Sequence, residues 1–567
     1  MTRKSNAAVS PVVTADRKAR GAFFTPPAIA DFLADWSVRQ DPNAKVLDPS
    51  CGEAVFLLAA GRRLRAAGCQ PSDLDTRVYG VDLHAESLST AHEFLADEGL
   101  DATLLASDFF AVPGPDEEDC PLPQMDAVIG NPPFIRYQEH AGATRARSVE
   151  AALRGGVALN GMASSWAALL VHACRFLKPD GRLAMVLPTE LLTVHYAEPI
   201  RRWLRERFAA VHLVMFERLQ FEDALEKVVL VIARGSGGCD AFSLHYLHDA
   251  DDLERIHAFD NVSVTPADEG KWSDLLLPLD QRQLFRRITR DDFVPLGEYG
   301  APQLGTVTGA NRYFTLSEET RVRFGLEEDR HVVPTCPPGT RHLKGTAFSL
   351  ADWRDLRDRG ESVWMFSPLP DASDDPAVVR YVEHGEDSDV DQAYKCSVRS
   401  SWYRPPVVEA PDLFFTYMSH RYPRLIANTA KVTFLNSMHG LRLSCAKPAT
   451  VRAALPLLML NSATMLGAEV HGRSYGGGVL KMEPREAAQL PVPRLDALVQ
   501  AWETLKADKS SLENQLRHGR WVEVSKRIDE VLLRDTLGMD ASDVIRLHEA
   551  ARSLRSHRLG EVSPTQG

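Results

Sequence analysis

Nowhere in its 567 residues does this chain run apolar for the roughly 20 positions needed to cross a bilayer, so no membrane association is expected. Its start, Met1-Thr2-Arg3-Lys4-Ser5-Asn6, leads into polar sequence and not into an apolar signal core, which argues against secretion. Cysteine is sparse. The eight present are scattered, with no CxxC pair and no metal-ligand spacing, which suits reduced thiols in a cytosol and gives no zinc site. An excess of positive charge is also lacking: 65 Lys and Arg stand against 77 Asp and Glu, a net charge of −12, so composition does not advertise a nucleic-acid binder. Net charge governs solubility and long-range steering, however, and leaves open whether one face is locally basic. There are no internal repeats. A cytoplasmic protein is expected.

What the chain does have is an ordinary globular balance, 44% hydrophobic and 25% charged, over a length that suits roughly two to four domains. From Lys45 to about Gly235, short apolar strands alternate with helical stretches, the pattern of a mostly parallel sheet with helices on both faces. Strands are expected at Lys45–Leu47, Val78–Val81, Ala102–Leu105, Ala127–Ile129 and Arg182–Leu187. Helices are expected through about Arg65, over Ala85–Glu98 and over Ser165–Leu177. Ligands of such sheets sit at the carboxyl ends of the strands. Four successive ends carry Asp48, Asp82, Asp108 and Asn131. Asp48-Pro49-Ser50-Cys51-Gly52 is a small turn that lets a ligand approach the backbone at a helix N-terminus. Asp82, followed by Leu83, stands where an acid would accept ribose hydroxyls. Asp108 could read an adenine amine, with Phe109 against the ring. Any one acid after a strand is commonly a helix cap, so the reading rests on the four in order.

The fourth strand runs into Asn131-Pro132-Pro133-Phe134. The asparagine side-chain oxygen and a proline-locked main-chain carbonyl are two acceptors for one NH2 group. The prolines remove backbone donors, so the turn presents only acceptors. Phe134 offers a flat surface for a base. Such a strand end is suited to holding an adenine amine for attack on a methyl donor.

With these residues in hand, the chain resembles the N6-adenine DNA methyltransferases of restriction–modification systems, most nearly the gamma-ordered group of the TaqI and PstI methylases. The resemblance implies an α/β fold: a class I S-adenosylmethionine-dependent methyltransferase domain with a Rossmann-like, mostly parallel sheet. An α+β target-recognition domain and a helical C-terminal tail would follow. Gly21-Ala22-Phe23-Phe24-Thr25-Pro26-Pro27 looks like the family's N-terminal motif, whose Thr25 would lie near the methionine part of S-adenosylmethionine. Asp48, Ser50, Cys51 and Gly52 match the cofactor loop, Asp82 the ribose-binding acid, Asp108 and Phe109 the adenine-binding pair, and Asn131 to Phe134 the catalytic tetrad. Within Phe216–Val228, Phe221 is expected over the flipped base, with Phe216 the alternative. One departure is Ala54, where a second glycine is common; alanine costs little there if its φ is negative.

After about Gly235 the α/β rhythm gives way to Pro-, Gly- and Asp-rich sequence with short strands. Gly305–Phe314, with Arg312, looks like the opening of the recognition domain. Tyr394–Arg404 interleaves cations and aromatics (Lys395, Arg399, Trp402, Tyr403, Arg404), as do Arg421–Arg424 and His471–Gly478 with Arg473 and Tyr475; these could contact phosphates and bases. A solvated face with ordinary core aromatics is the alternative. The acidic run Glu383–Asp391 is expected as an exposed loop. Gln489–Pro493 resembles the exit from a recognition domain, and Leu498–Leu559 has helical periodicity, with a tail free to pack back, dimerise or brace DNA. The expected organisation is a flexible arm at 1–20, a catalytic domain at 21–235, a connection at 236–300, a recognition domain at 301–495 and a helical segment at 496–567.

The expected function is a DNA adenine methyltransferase using S-adenosylmethionine on double-stranded DNA, protecting it from a separately encoded endonuclease. The roughly 20 residues before Gly21 are too few for a nuclease domain, and no nuclease carboxylate–lysine cluster stands out further on. The same fold could serve RNA bases or protein glutamines, and a catalytically silent DNA-binding or assembly subunit is the reading from another class.

Overall fold

The computed structural model describes residues 25–135, 142–216, 228–258, 262–265, 271–475 and 478–559. The chain divides into two compact units, Met1–Pro278 and Leu279–Gly567.

The first unit is built on a nine-stranded sheet in the order β3-β2-β1-β4-β5-β7-β6-β8-β9. Its strands are β1 (Val46–Asp48), β2 (Val78–Asp82), β3 (Thr103–Ala106), β4 (Met125–Gly130), β5 (Leu177–Pro188), β6 (Ala210–Phe216), β7 (Val228–Arg234), β8 (Phe242–Leu247) and β9 (Val262–Val264). The first five pair in parallel, and β7 runs antiparallel between β5 and β6. The central strands are buried on both faces, so they are apolar throughout. Leu47, Val128, Leu183 and Met185 point to one core cluster and Val46, Ala127, Ile129, Ala184 and Val186 to the other. The helices α1 (Pro27–Val38), α2 (Val55–Ala66) and α3 (Ala85–Asp97) cover the second cluster, and α4 (Gly142–Arg154) and α5 (Ser165–Cys174) the first. Every residue of α5 is buried, which is why that helix is apolar all round.

The sequence places the first four strands within a residue or two. The fifth opens five residues early, at Leu177, the residue expected to end a helix: Leu177 pairs with Met125 and, past the Lys178–Gly181 turn, Arg182 pairs with Ala127. The sheet also continues into β8 and β9, inside the stretch expected as a connection.

The second unit is α+β. A five-stranded sheet runs in the order Pro302–Leu304, His439–Leu441, Leu413–Phe415, Leu425–Asn428, Ala347–Phe348, with smaller sheets around it. The C-terminal helices, Leu495–Leu505 through Ala541–Leu559, pack back within this unit. Asp529 caps the helix Ser462–His471 by accepting the Ser462 N–H at 2.8 Å and its hydroxyl at 2.6 Å. Arg558 of the last helix grips Glu469 through both oxygens, each at 2.8 Å. The acidic run differs from its expectation as a loop. Its first four residues finish the helix Pro376–Glu386, because Tyr381 and Gly385 on the same helix are buried against Tyr313 and Trp402 and hold that turn helical. Among the described residues no single helix is long and apolar enough to cross a membrane.

Candidate active site

Strand order reverses direction between β1 and β4, and the ends of these two strands bring the predicted polar residues together. Asp48 closes β1, is 1% exposed, and receives the Ser50 N–H at 3.0 Å. Burial pushes its carboxyl up to about 8; the Ser50 N–H works against that shift and the neighbouring Asp82 adds to it. Gly130, at the end of β4, approaches so closely that a Cβ there would lie 2.7 Å from Asp48 Oδ1. A side chain at 130 would displace the carboxylate. Asp82 closes β2 and organises the loop after β1 from the side, accepting the N–H of Gly52 at 3.0 Å and of His84 at 2.8 Å. Gly52 sits at φ +50° with nothing within 4 Å of its Cβ position, so the loop leaves open space over its backbone. The Ser50 hydroxyl is buried without a hydrogen-bond partner among the described residues. Cys51 donates its N–H to Val81 O at 2.9 Å, and burial, with Asp48 and Asp82 nearby, holds its thiol protonated. Leu83, next to Asp82, is 62% exposed.

Two expectations change. Ala54 has φ +71°, so the condition for a cheap alanine is not met: its backbone lies in the left-handed region that favours glycine. Phe109 does not face outward. The single turn after Asp108 directs its ring into the core, 4.8 Å from His172 and 5.5 Å from Phe176, and Phe110 is the half-buried neighbour. Asp108 itself accepts the Phe110 N–H at 3.1 Å and is paired with Arg147 of α4 at 2.8 Å. Nothing in the sequence marked Arg147.

At the end of β4 the amide of Asn131 is oriented. Its Nδ2 donates to Thr25 Oγ1 at 3.2 Å, and its Oδ1 is buried with no partner among the described residues. Thr25 is 4% exposed and lies just before α1. A buried acceptor with its lone pairs unused is costly, and an amine donor brought to this point would relieve it. Pro132 is buried, and Pro133 and Phe134 are half-buried. The Pro133 carbonyl accepts the Ser165 hydroxyl at 2.5 Å. Phe221 and Gly21–Phe24 lie outside the described residues, and Phe216 is buried at the end of β6. A cleft of about 830 Å³ opens at the opposite, amino-terminal ends of the central strands, lined by Ser37, Asp126, Lys178 and Arg182, away from these groups.

The predicted DNA contacts of the second unit divide. Arg399 donates to Val307 O at 2.6 Å, Arg404 to Leu369 O at 3.1 Å and Pro370 O at 2.9 Å, and Arg473 is paired with Glu486. Trp402 donates to Glu386 at 3.2 Å and packs on Tyr313, and Tyr403 is half-buried beside it. Arg312, Lys395, Tyr394 and Tyr475 are exposed.

The family model N-6 DNA Methylase matches residues 9–239, and that of the Type II methyltransferase M.Eco57I, C-terminal domain, matches residues 269–533. Type II methyltransferase M.AccI of Acinetobacter calcoaceticus is 22% identical over 480 residues, covering 83% of this chain and 84% of its own. Type II methyltransferase M.XamI of Xanthomonas campestris pv. amaranthicola is 23% identical over 496 residues, covering 84% and 86%. Among solved structures, the Type IIL restriction–modification enzyme MmeI in complex with DNA is 12% identical with a TM-score of 0.48, over 96% of this chain and 76% of that one.

Proposed function

This chain belongs to the N-6 DNA methylases of the Type II restriction–modification kind, and on that premise we propose that it is the protective modification enzyme of such a system. It acts on the N6 amine of an adenine turned out of duplex DNA, in the cytoplasm, with a separately encoded endonuclease as its counterpart. The observation that carries the reading is the Asn131 amide, whose nitrogen is held by Thr25 and whose buried oxygen has no donor among the described residues.

The donor set fits S-adenosylmethionine. Among the described residues, Ser50 and Asn131 carry buried oxygens without partners beside Asp48 and Asp82, and the backbone over Gly52 is open. Asp82 would hold the ribose hydroxyls, Asp108 the adenine amine and Thr25 the methionine end, with Leu83 beside the nucleoside. S-adenosylmethionine, when bound, supplies an electrophilic sulfonium methyl.

The remaining work falls to the chain. Turning a nucleotide out of the duplex costs a few kcal/mol, and stacking on Phe134 returns about 1–3 kcal/mol. Phe221 is proposed for the opposite face of the base. Asn131 Oδ1 accepts one amine hydrogen. The Pro132 carbonyl, next in the chain to Asn131, takes the other. Two in-plane acceptors on the hydrogens direct the nitrogen lone pair out of the ring plane, toward the methyl, and positioning of this kind supplies most of the rate. Of the residues expected to contact DNA in the second unit, Arg312, Lys395, Tyr394 and Tyr475 are exposed and available for it.

Long-read sequencing of DNA from cells expressing the wild type and Asn131→Ala tests the reading. A sequence motif carrying N6-methyladenine in the wild type alone supports it. Unmodified DNA in both, with no methyl transfer to DNA in vitro, overturns it and directs the search to RNA.

A further inference from the structure

The turn that carries Asn131 is not self-supporting, and the residue that holds it lies on another element. Pro132 and Pro133 have no N–H, so the turn cannot close its own backbone bonds. Ser165, the first residue of α5 and 3% exposed, supplies them. Its hydroxyl donates to Pro133 O at 2.5 Å and accepts the Ile135 N–H at 3.0 Å. Its own N–H, which the start of a helix leaves without an internal partner, donates to Ile135 O at 3.0 Å. These bonds clamp the main chain on both sides of Phe134.

Ser165 is itself braced by Glu190, which follows the end of β5. One carboxylate oxygen, Oε2, accepts from Ser164 Oγ at 3.4 Å, Trp166 Nε1 at 3.3 Å and Tyr196 OH at 2.5 Å. The residues on either side of Ser165 are therefore fixed to one point. Ser164 does not cap its own helix, because its hydroxyl is turned to Glu190.

We propose that Ser165, held in register by Glu190, is a positioning residue of methyl transfer: by holding the Pro133 carbonyl and both backbone groups of Ile135, it fixes Phe134 against the target base. This rests on the adenine-methylation reading. Ser165 touches neither substrate nor cofactor and acts through the turn.

The test uses the full chain and duplex DNA containing the motif mapped by sequencing. Ser165→Ala is expected to lower kcat by about 100-fold, the loss that a displacement near 1 Å brings. Its KM for DNA and Kd for S-adenosylmethionine stay within about twofold, because neither ligand meets the hydroxyl. Ser165→Thr, which keeps the oxygen, recovers most of kcat. With 2-aminopurine at the target position, Ser165→Ala turns the base out but leaves it less stacked, and its fluorescence exceeds that of the wild-type complex. Glu190→Gln keeps volume, weakens the acceptor, and lowers kcat by a smaller factor with both affinities unchanged. A Ser165→Ala enzyme with wild-type kcat overturns the proposal, as does a threonine variant as slow as the alanine one. Should Ser165→Ala fail to fold, Glu190→Gln with undiminished kcat overturns it. A wild type that transfers no methyl to DNA would instead overturn the underlying reading.

Discussion

Thr25 Oγ1 accepts the Asn131 Nδ2 hydrogen at 3.2 Å across 106 positions of sequence, and this contact decides which way the asparagine amide faces. Without it the amide can rotate by half a turn and present its NH2 to an amine substrate, donor against donor. Thr25→Val keeps the shape and removes the oxygen. It is expected to lower kcat by about fivefold, as the loss of one orienting hydrogen bond of about 1 kcal/mol predicts. Single-turnover methyl transfer checks this; an unchanged rate would show that the amide needs no such anchor.

Ala54 tests competing effects. Its φ of +71° costs about 1–2 kcal/mol. Glycine would remove that strain but lose a buried methyl, about 0.8 kcal/mol, and make the unfolded chain freer by about 0.4–1 kcal/mol. The contributions cancel, so thermal melting should place Ala54→Gly within about 0.5 kcal/mol of the wild type. Ala54→Val adds a β-branch in a left-handed conformation to a fully buried site, and should cost more than about 2 kcal/mol. A melting curve for the valine variant that matches wild type would contradict the conformation.

The β1, β2 and β4 ends were legible because each strand is a short apolar run followed by a polar residue, and the parallel sheet converts that order into adjacency. Ser165 and Arg147 were not. They reach the site from 32 and 39 positions away from their partners, and no local pattern announces such a contact. Phe109 was misplaced because sequence gives its position after Asp108 but not the single turn that points it inward. In the second unit, alternation of cations and aromatics cannot say whether a guanidinium meets solvent or a carbonyl. Arg399 and Arg404 meet carbonyls.

Asp48 should couple cofactor affinity to pH. Burial holds its carboxyl up to about 8 against 3.8 for a free carboxyl, so the folded protein binds a proton that the unfolded chain releases. Stability without ligand is therefore full at low pH, declines as pH rises above the unfolded value, and levels off above about 8. A cationic ligand beside Asp48 favours the ionised form, so S-adenosylmethionine should bind more tightly as pH rises through the same range. Calorimetry in buffers of differing ionisation enthalpy should register proton release on binding near neutral pH, and Asp48→Asn should abolish it. Proton uptake on binding would reverse the assignment.

Glu469 and Arg558 form a buried ion pair whose side chains are 2% and 5% exposed. Burial pushes the Glu469 carboxyl up more than Arg558 draws it down. Removing only the arginine leaves an unpaired buried acid, so Arg558→Ala should cost about 3–5 kcal/mol. A paired replacement of both residues by leucine and methionine should recover much of it. Urea denaturation of the three proteins separates the pair's cost from that of an orphaned charge, and an Arg558→Ala protein as stable as wild type would deny the burial.

The cations of the second unit should separate by what they touch. Arg404 donates to two carbonyls and to Ser373, so Arg404→Ala should destabilise the protein and leave the salt dependence of DNA binding unchanged. Arg312 and Lys395 are exposed, so alanine there should leave the melting temperature alone. Each that neutralises a phosphate should lower the slope of log affinity against log salt by about 0.9. Fluorescence anisotropy with labelled duplex at several salt concentrations gives the slopes. Equal slopes for wild type, Arg312→Ala and Lys395→Ala would exclude both from the phosphate contact.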